Sequence, residues 1–147
     1  MSAADASQGG LVVPGDEEGV RRAIELLLAG NVVAFPTETV YGLGADAASA
    51  AGVAAIYRIK GRPLGHPLIV HVADADALGF WAPDQPRSSH ALRLVEAFWP
   101  GPLTLVMRRR EGAPAHACGG HPTIGLRCPS HPVARRLLAG FAVRGGK

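Results

Sequence analysis

Residues 32–72 constrain this chain more than any other stretch. A short apolar run at 32–35 reads as a buried strand, and Pro36 ends it. A polar loop, 37–44, follows. Ser49 then caps an amphipathic helix carrying Val53, Ile56 and Tyr57. Pro67 and the apolar run 68–72 give a second strand. Strand, loop, helix and strand make a β–α–β unit, which predicts two parallel strands and an α/β fold.

The remaining segments fit that class. Asp16 caps a helix reaching Leu28, with Val20, Ile24, Leu27 and Leu28 on one face and Gly30 as its stop. Residues 88–99 read as a third helix through Leu92, Val95 and Phe98, broken by Pro100-Gly101-Pro102. Strands are expected at 103–107 and 124–127. Ser130 is expected to cap a last helix over 133–139. Residues 113–122 have no period and read as a loop.

At 147 residues the chain suits one core, with residues 1–10 as a flexible tail and 11–147 as the domain. With 48% apolar and 18% charged residues it is no disordered chain. The net charge of +3 comes from dispersed Lys and Arg, which suits anionic ligands such as nucleotides without demanding nucleic acid. Two cysteines build no disulfide framework. No apolar stretch approaches the roughly 20 residues of a membrane span, and the start lacks a signal peptide's pattern. These features predict a cytoplasmic chain without a membrane partner.

The loop Pro36-Thr37-Glu38-Thr39-Val40-Tyr41-Gly42-Leu43-Gly44 is the first candidate for chemistry. Ligands bind at strand ends in α/β sheets, and two threonines, a carboxylate and a phenol are costly to bury without partners. Gly42-x-Gly44-x-x-Ala47 also fits a relaxed dinucleotide fingerprint, but no acidic residue stands where the ribose would need one. A nucleotide-binding oxidoreductase therefore rests on very little. Lys60 and Arg62, beside Gly61 and Pro63, can aim two cations at a polyphosphate, although a helix C-terminus favours cations anyway. His71 and Arg127 each end an apolar strand, a place that also suits a core histidine or a surface charge. His116, Cys118, His121, Cys128 and His131 lack the paired spacing of structural zinc, so no metal site is assigned. No Gly-x4-Gly-Lys-Ser/Thr loop is present, so any ATP is held by other means.

Five motifs occur together and in order. They are Pro36-Thr37-Glu38-Thr39-Val40-Tyr41-Gly42-Leu43, Tyr57-x-x-Lys60-x-Arg62-Pro63, Pro67-Leu68-Ile69-Val70-His71, Trp99-Pro100-Gly101-Pro102-Leu103-Thr104 and Gly125-x-Arg127-x-Pro129-x-His131-Pro132. In this the chain resembles the YrdC/Sua5 family from about residue 11 to 139. The resemblance implies a YrdC/RibB-like α/β fold, a twisted mixed parallel and antiparallel sheet with flanking helices and a basic cavity. It implies a nucleotidyltransferase, L-threonylcarbamoyladenylate synthase. Such an enzyme makes threonylcarbamoyl-AMP and pyrophosphate from L-threonine, bicarbonate and ATP, with Mg2+ expected, for t6A modification of tRNA. Partners implied are those substrates, tRNA or double-stranded RNA, and a downstream t6A transfer machinery.

Carried over position by position, the resemblance assigns Thr39, His71 and Arg127 to L-threonine. It assigns Lys60, Arg62, His66 and Thr123 to ATP, with Lys60 and Arg62 as the catalytic cations. It implies no classical nucleophile. The alternative from another class is a non-catalytic RNA-binding module that uses the same basic face. The likeness stops after residue 139. Family members continue into a strand ending in a Ser-x-Asn motif, whereas here Gly140-Phe141-Ala142-Val143-Arg144-Gly145-Gly146-Lys147 follows. The expectation is a truncated domain with impaired activity.

Overall fold

The computed structural model describes residues 10–84 and 89–147. Residues 1–9 of the expected tail, and Ser88 of the third expected helix, lie outside the described residues. Helix α1, Glu17–Leu28, starts where the Asp16 carboxylate accepts from the Gly19 N–H at 2.9 Å. Glu17 and Glu18 in its first turn complement the helix dipole. Helix α2, Ala50–Lys60, is capped by the Ser49 hydroxyl, which accepts from the Gly52 N–H at 3.1 Å. It ends at Gly61, whose φ of 60° is left-handed and favours glycine.

Strands β1, Val33–Pro36, and β2, Tyr41–Gly44, pair antiparallel. Strands β3, Ile69–His71, β4, Leu105–Arg108, and β5, Thr123–Arg127, form a second sheet. Its order is β3-β5-β4, with β5 parallel to β3 and antiparallel to β4. The class is α/β with a mixed sheet and flanking helices, as expected.

The β–α–β expectation fails in its pairing. The strands on either side of α2 belong to different sheets: β1 pairs with β2, and β3 with β5. The cause lies in residues 37–40. The Thr37 hydroxyl donates to the Val40 carbonyl at 2.6 Å and accepts from the Thr39 and Val40 N–H groups, which folds the chain back on β1. What read as a loop running to Gly44 is therefore a turn followed by a strand. Gly42 and Gly44 sit within that strand rather than at the mouth of a helix, which removes the dinucleotide fingerprint.

A 3-10 turn, Ala75–Ala77, leads into the short helix α3, Leu78–Trp81, and helix α4 runs His90–Phe98 under a Ser89 cap. Another 3-10 turn, His116–Cys118, lies in the 113–122 segment. Helix α5, Pro132–Val143, is capped by His131 rather than Ser130 and continues past residue 139. The His131 Nδ1 accepts from the Val133 N–H at 3.2 Å, and Pro132 suits the first turn. Gly140 lies inside α5, where a Cβ would come within 2.5 Å of Ile24 Cδ1. Its bareness lets α1 and α5 approach closely.

Two apolar clusters carry the fold. Val70, Leu105, Ile124 and Leu126 of the three-stranded sheet pack with Val95 and Trp81. Val20, Ile24 and Leu27 of α1 pack with Leu137 and Phe141 of α5 over Phe35. Each such buried side chain contributes about 1.5–3 kcal/mol of burial free energy. Among the described residues no helix is long and apolar enough to cross a membrane.

Candidate active site

A cavity of about 450 Å³ is bordered by both apolar clusters. Leu27, Phe35 and Leu137 reach it from one side, and Val70, Val72 and Trp81 from the other. Its polar lining includes Thr39, Lys60, Arg62, His71 and Arg127, with Asp74 as its carboxylate. The balance of charge on the wall is therefore basic.

Arg127 is the centre of this wall. It is the register partner of His71 in the parallel β3–β5 ladder, so both side chains leave the sheet on one face. The guanidinium is buried. Its Nη2 donates to Glu38 and, at 3.1 Å, to the Thr39 hydroxyl. Its Nε is buried and has no hydrogen-bond partner among the described residues. An unmet buried donor of this kind costs about 1–3 kcal/mol.

Glu38 is held on both oxygens, by Arg127 on one and by the Ser130 N–H at 3.0 Å on the other. Burial alone would raise the Glu38 carboxyl. The bonds from its own N–H, from Arg127 and from Ser130 win, and they hold it down at about 2. His71 moves the other way. Burial first, and then the Arg127 charge, lower it from the ordinary 6.5 despite the Ile69 carbonyl and Glu38. The imidazole is therefore neutral at pH 7, able to take a hydrogen bond without adding charge.

Lys60 and Arg62 stand at the C-terminal end of α2 and are exposed. The loop that follows them is tied at three points. Buried Tyr57 donates its hydroxyl to the His66 carbonyl at 2.6 Å, and the Leu68 N–H donates to Ala117 at 2.8 Å. Gly119, with φ 59°, packs where a Cβ would meet the Gly65 carbonyl at 2.7 Å.

The structure thus brings Thr39, Lys60, Arg62, His71 and Arg127 onto one cavity. It leaves two candidates off the lining. The His66 residue is exposed and is tethered through its carbonyl. Thr123 sits at the far end of β5 from Arg127, opposite Arg108. Glu38 is the group that the sequence reading did not assign. It showed only as one member of a polar cluster, and its partner Arg127 lies 89 residues away. Lys147 also lines the cavity. Its ammonium lies 4.5 Å from the Phe80 ring centroid, and its carbonyl accepts from the Ala47 N–H at 2.7 Å.

Among the described residues no three His, Cys, Asp or Glu side chains converge as a metal site. Cys118 and Cys128 are buried and free, and burial pushes both thiols up, which leaves them poor nucleophiles. Asp74 is engaged as a cap, accepting from the Asp76 and Ala77 N–H groups. It makes no cage for magnesium by itself.

Comparison with known proteins finds relatives in sequence and in fold. The threonylcarbamoyl-AMP synthase of Pyrococcus abyssi is 42% identical over 123 residues, covering 84% of this chain and 36% of that protein. That of Bacillus subtilis is 43% identical over 120 residues, covering 81% of this chain and 34% of that one. The chain therefore spans about a third of the length of these relatives. Among solved structures, P. abyssi Sua5 complexed with L-threonine matches with a TM-score of 0.81 at 42% identity, over 86% of this chain and 37% of that one. E. coli YciO matches at 0.76 and 26% identity, over 86% of this chain and 61% of that one. Residues 25–143 match the family Sua5_yciO_yrdC, described as "Telomere recombination". This chain belongs to the Sua5/YciO/YrdC family.

Proposed function

We propose that this chain forms L-threonylcarbamoyl-AMP and pyrophosphate from L-threonine, bicarbonate and ATP, supplying t6A modification of tRNA in the cytoplasm. The observation that carries this reading is Arg127, a guanidinium on the cavity wall held by Glu38 and Thr39 beside neutral His71. An amino-acid carboxylate is an anionic acceptor that a guanidinium takes through charge-assisted hydrogen bonds. Relatives named threonylcarbamoyl-AMP synthase and a Sua5 structure holding L-threonine support the assignment.

Each group then has a task. Arg127 binds the threonine carboxylate, and Thr39 and His71 orient the rest of the molecule. Lys60 and Arg62 meet the nucleotide phosphates from the other part of the wall. They neutralise charge as a carbamate oxygen attacks the α-phosphorus and the bond to pyrophosphate breaks. The apolar lining keeps water from a short-lived carbamate, so holding the partners together matters more than a strong base. The described residues assemble no carboxylate cage for magnesium, and an ion expected with ATP would be held by the phosphates.

The RNA-module alternative needs free cations. Of the run Arg108, Arg109, Arg110, the last two are already committed. Arg109 donates to the Ala113 and Arg110 carbonyls, and Arg110 to Ala82 and Asp84. The deciding experiment measures pyrophosphate release from ATP with threonine and bicarbonate omitted in turn. Release that needs both supports the synthase. No release, together with tight and salt-sensitive binding of duplex RNA, would replace it with the RNA module.

A further inference from the structure

We infer that Glu38 is a positioning residue for amino-acid binding, acting through Arg127. The inference rests on the proposed threonine site. Glu38 is absent from the cavity lining, whereas Arg127 and Thr39 line it. It therefore reaches a ligand only by way of its neighbours. Its two oxygens join three separate segments of the chain: the 37–40 turn that carries it, the end of β5 through Arg127, and the start of α5 through the Ser130 N–H. The side chains of Arg127 and Glu38 are only 10% and 20% exposed, so water is a poor substitute for either partner.

The pair aims the arginine. With Nη2 committed to Glu38 and Thr39, the guanidinium plane is fixed on the cavity wall. A long arginine side chain otherwise loses rotamer freedom on binding, and that loss weakens affinity. Glu38 removes the freedom in advance. Its low carboxyl pKa keeps the anchor charged throughout the physiological range. Deleting a carboxylate also raises the local positive potential, which alone would tighten an anion. Threonine is a zwitterion, however, so the gain at its carboxylate is offset by the loss at its ammonium. Positioning is the effect that remains.

The test is calorimetric titration of L-threonine, and separately of ATP, into the whole chain as wild type, Glu38→Ala and Glu38→Gln, with thermal midpoints recorded. The expected result is at least a tenfold weaker threonine dissociation constant in Glu38→Ala and a smaller loss in Glu38→Gln, which keeps one acceptor oxygen. ATP affinity should stay within about twofold, a split that general loosening of the fold would not produce. Equal or tighter threonine binding in Glu38→Gln overturns the role of Glu38 and leaves the threonine site standing. Wild-type protein that fails to bind threonine overturns the underlying site instead. If Glu38→Ala does not fold, Glu38→Gln carries the test. A Gln variant that also fails to fold shows that Glu38 holds the fold rather than the arginine, and that too overturns the proposal.

Discussion

The Tyr57 hydroxyl donates to the His66 carbonyl at 2.6 Å and so closes the loop that begins at Lys60 and Arg62 onto its own helix. The phenol is buried, and burial first of all raises its pKa, so it stays a donor across the working range. Tyr57→Phe should leave the packing intact and cost about 0.5–1.5 kcal/mol of stability, the net worth of one hydrogen bond. It should also weaken ATP severalfold while threonine affinity holds. Denaturant melts and two calorimetric titrations give all three numbers. An unchanged ATP affinity would separate the tether from the nucleotide side.

Arg62 and Lys60 are exposed, so their attraction for phosphates should fade as salt rises. Arg62→Ala should reduce ATP affinity by about tenfold or more, the usual scale for one lost charge-assisted contact. Titrations at several salt concentrations test this. Equal ATP affinity in both proteins removes Arg62 from the site.

Acid should destabilise the protein in two windows. His71 has a folded pKa below its ordinary 6.5, so the unfolded chain binds the proton first. Stability is full above that value and falls as pH drops below it. Glu38 has a folded pKa of about 2 against an ordinary 4.5. Its share is present above about 4.5 and is lost as pH falls toward 2. Allowing for solvent screening of a partly exposed carboxylate, that share is roughly 1–2 kcal/mol. Thermal midpoints against pH should flatten in the upper window for His71→Gln and in the lower one for Glu38→Gln. Parallel curves for all three proteins would refute both assignments.

How much of this was legible in advance depends on the range of the interaction. The starts of α1 and α2 were readable because Asp16 and Ser49 bond three residues on, and the stop of α2 because Gly61 follows directly. Strand β2 was not, since Tyr41-Gly42-Leu43-Gly44 has little strand propensity and pairs only because Thr37 turns the chain. The expected parallel unit is absent, since β1 and β3 lie in different sheets. The last cap was misplaced by one residue, because the His131 ring nitrogen accepts from the Val133 N–H. The motifs named Thr39, Lys60, Arg62, His71 and Arg127, and these share one wall. The ion pair that holds Arg127 joins residues 89 apart, and no local pattern encodes it.

Leu137 tests the packing behind the cavity. It is 1% exposed and lies in the α1–α5 cluster with Ile24 and Phe35. Leu137→Ala should cost about 2–5 kcal/mol, the burial lost plus the cavity left. Urea melts measure it, and a loss below about 1 kcal/mol would show that α5 is not packed as described.

The central claim is that Arg127 receives an amino-acid carboxylate, and Arg127→Lys addresses it most directly. Lysine keeps the positive charge and discards the planar fork, so it isolates geometry from charge. The measurement is calorimetric titration of L-threonine into the wild-type and Arg127→Lys proteins, with folding checked by thermal midpoint. The account predicts saturable binding by the wild type and at least a tenfold weaker constant, of the order of 1.4 kcal/mol, in the lysine variant. Equal affinities, or no threonine binding by the wild type, would contradict it.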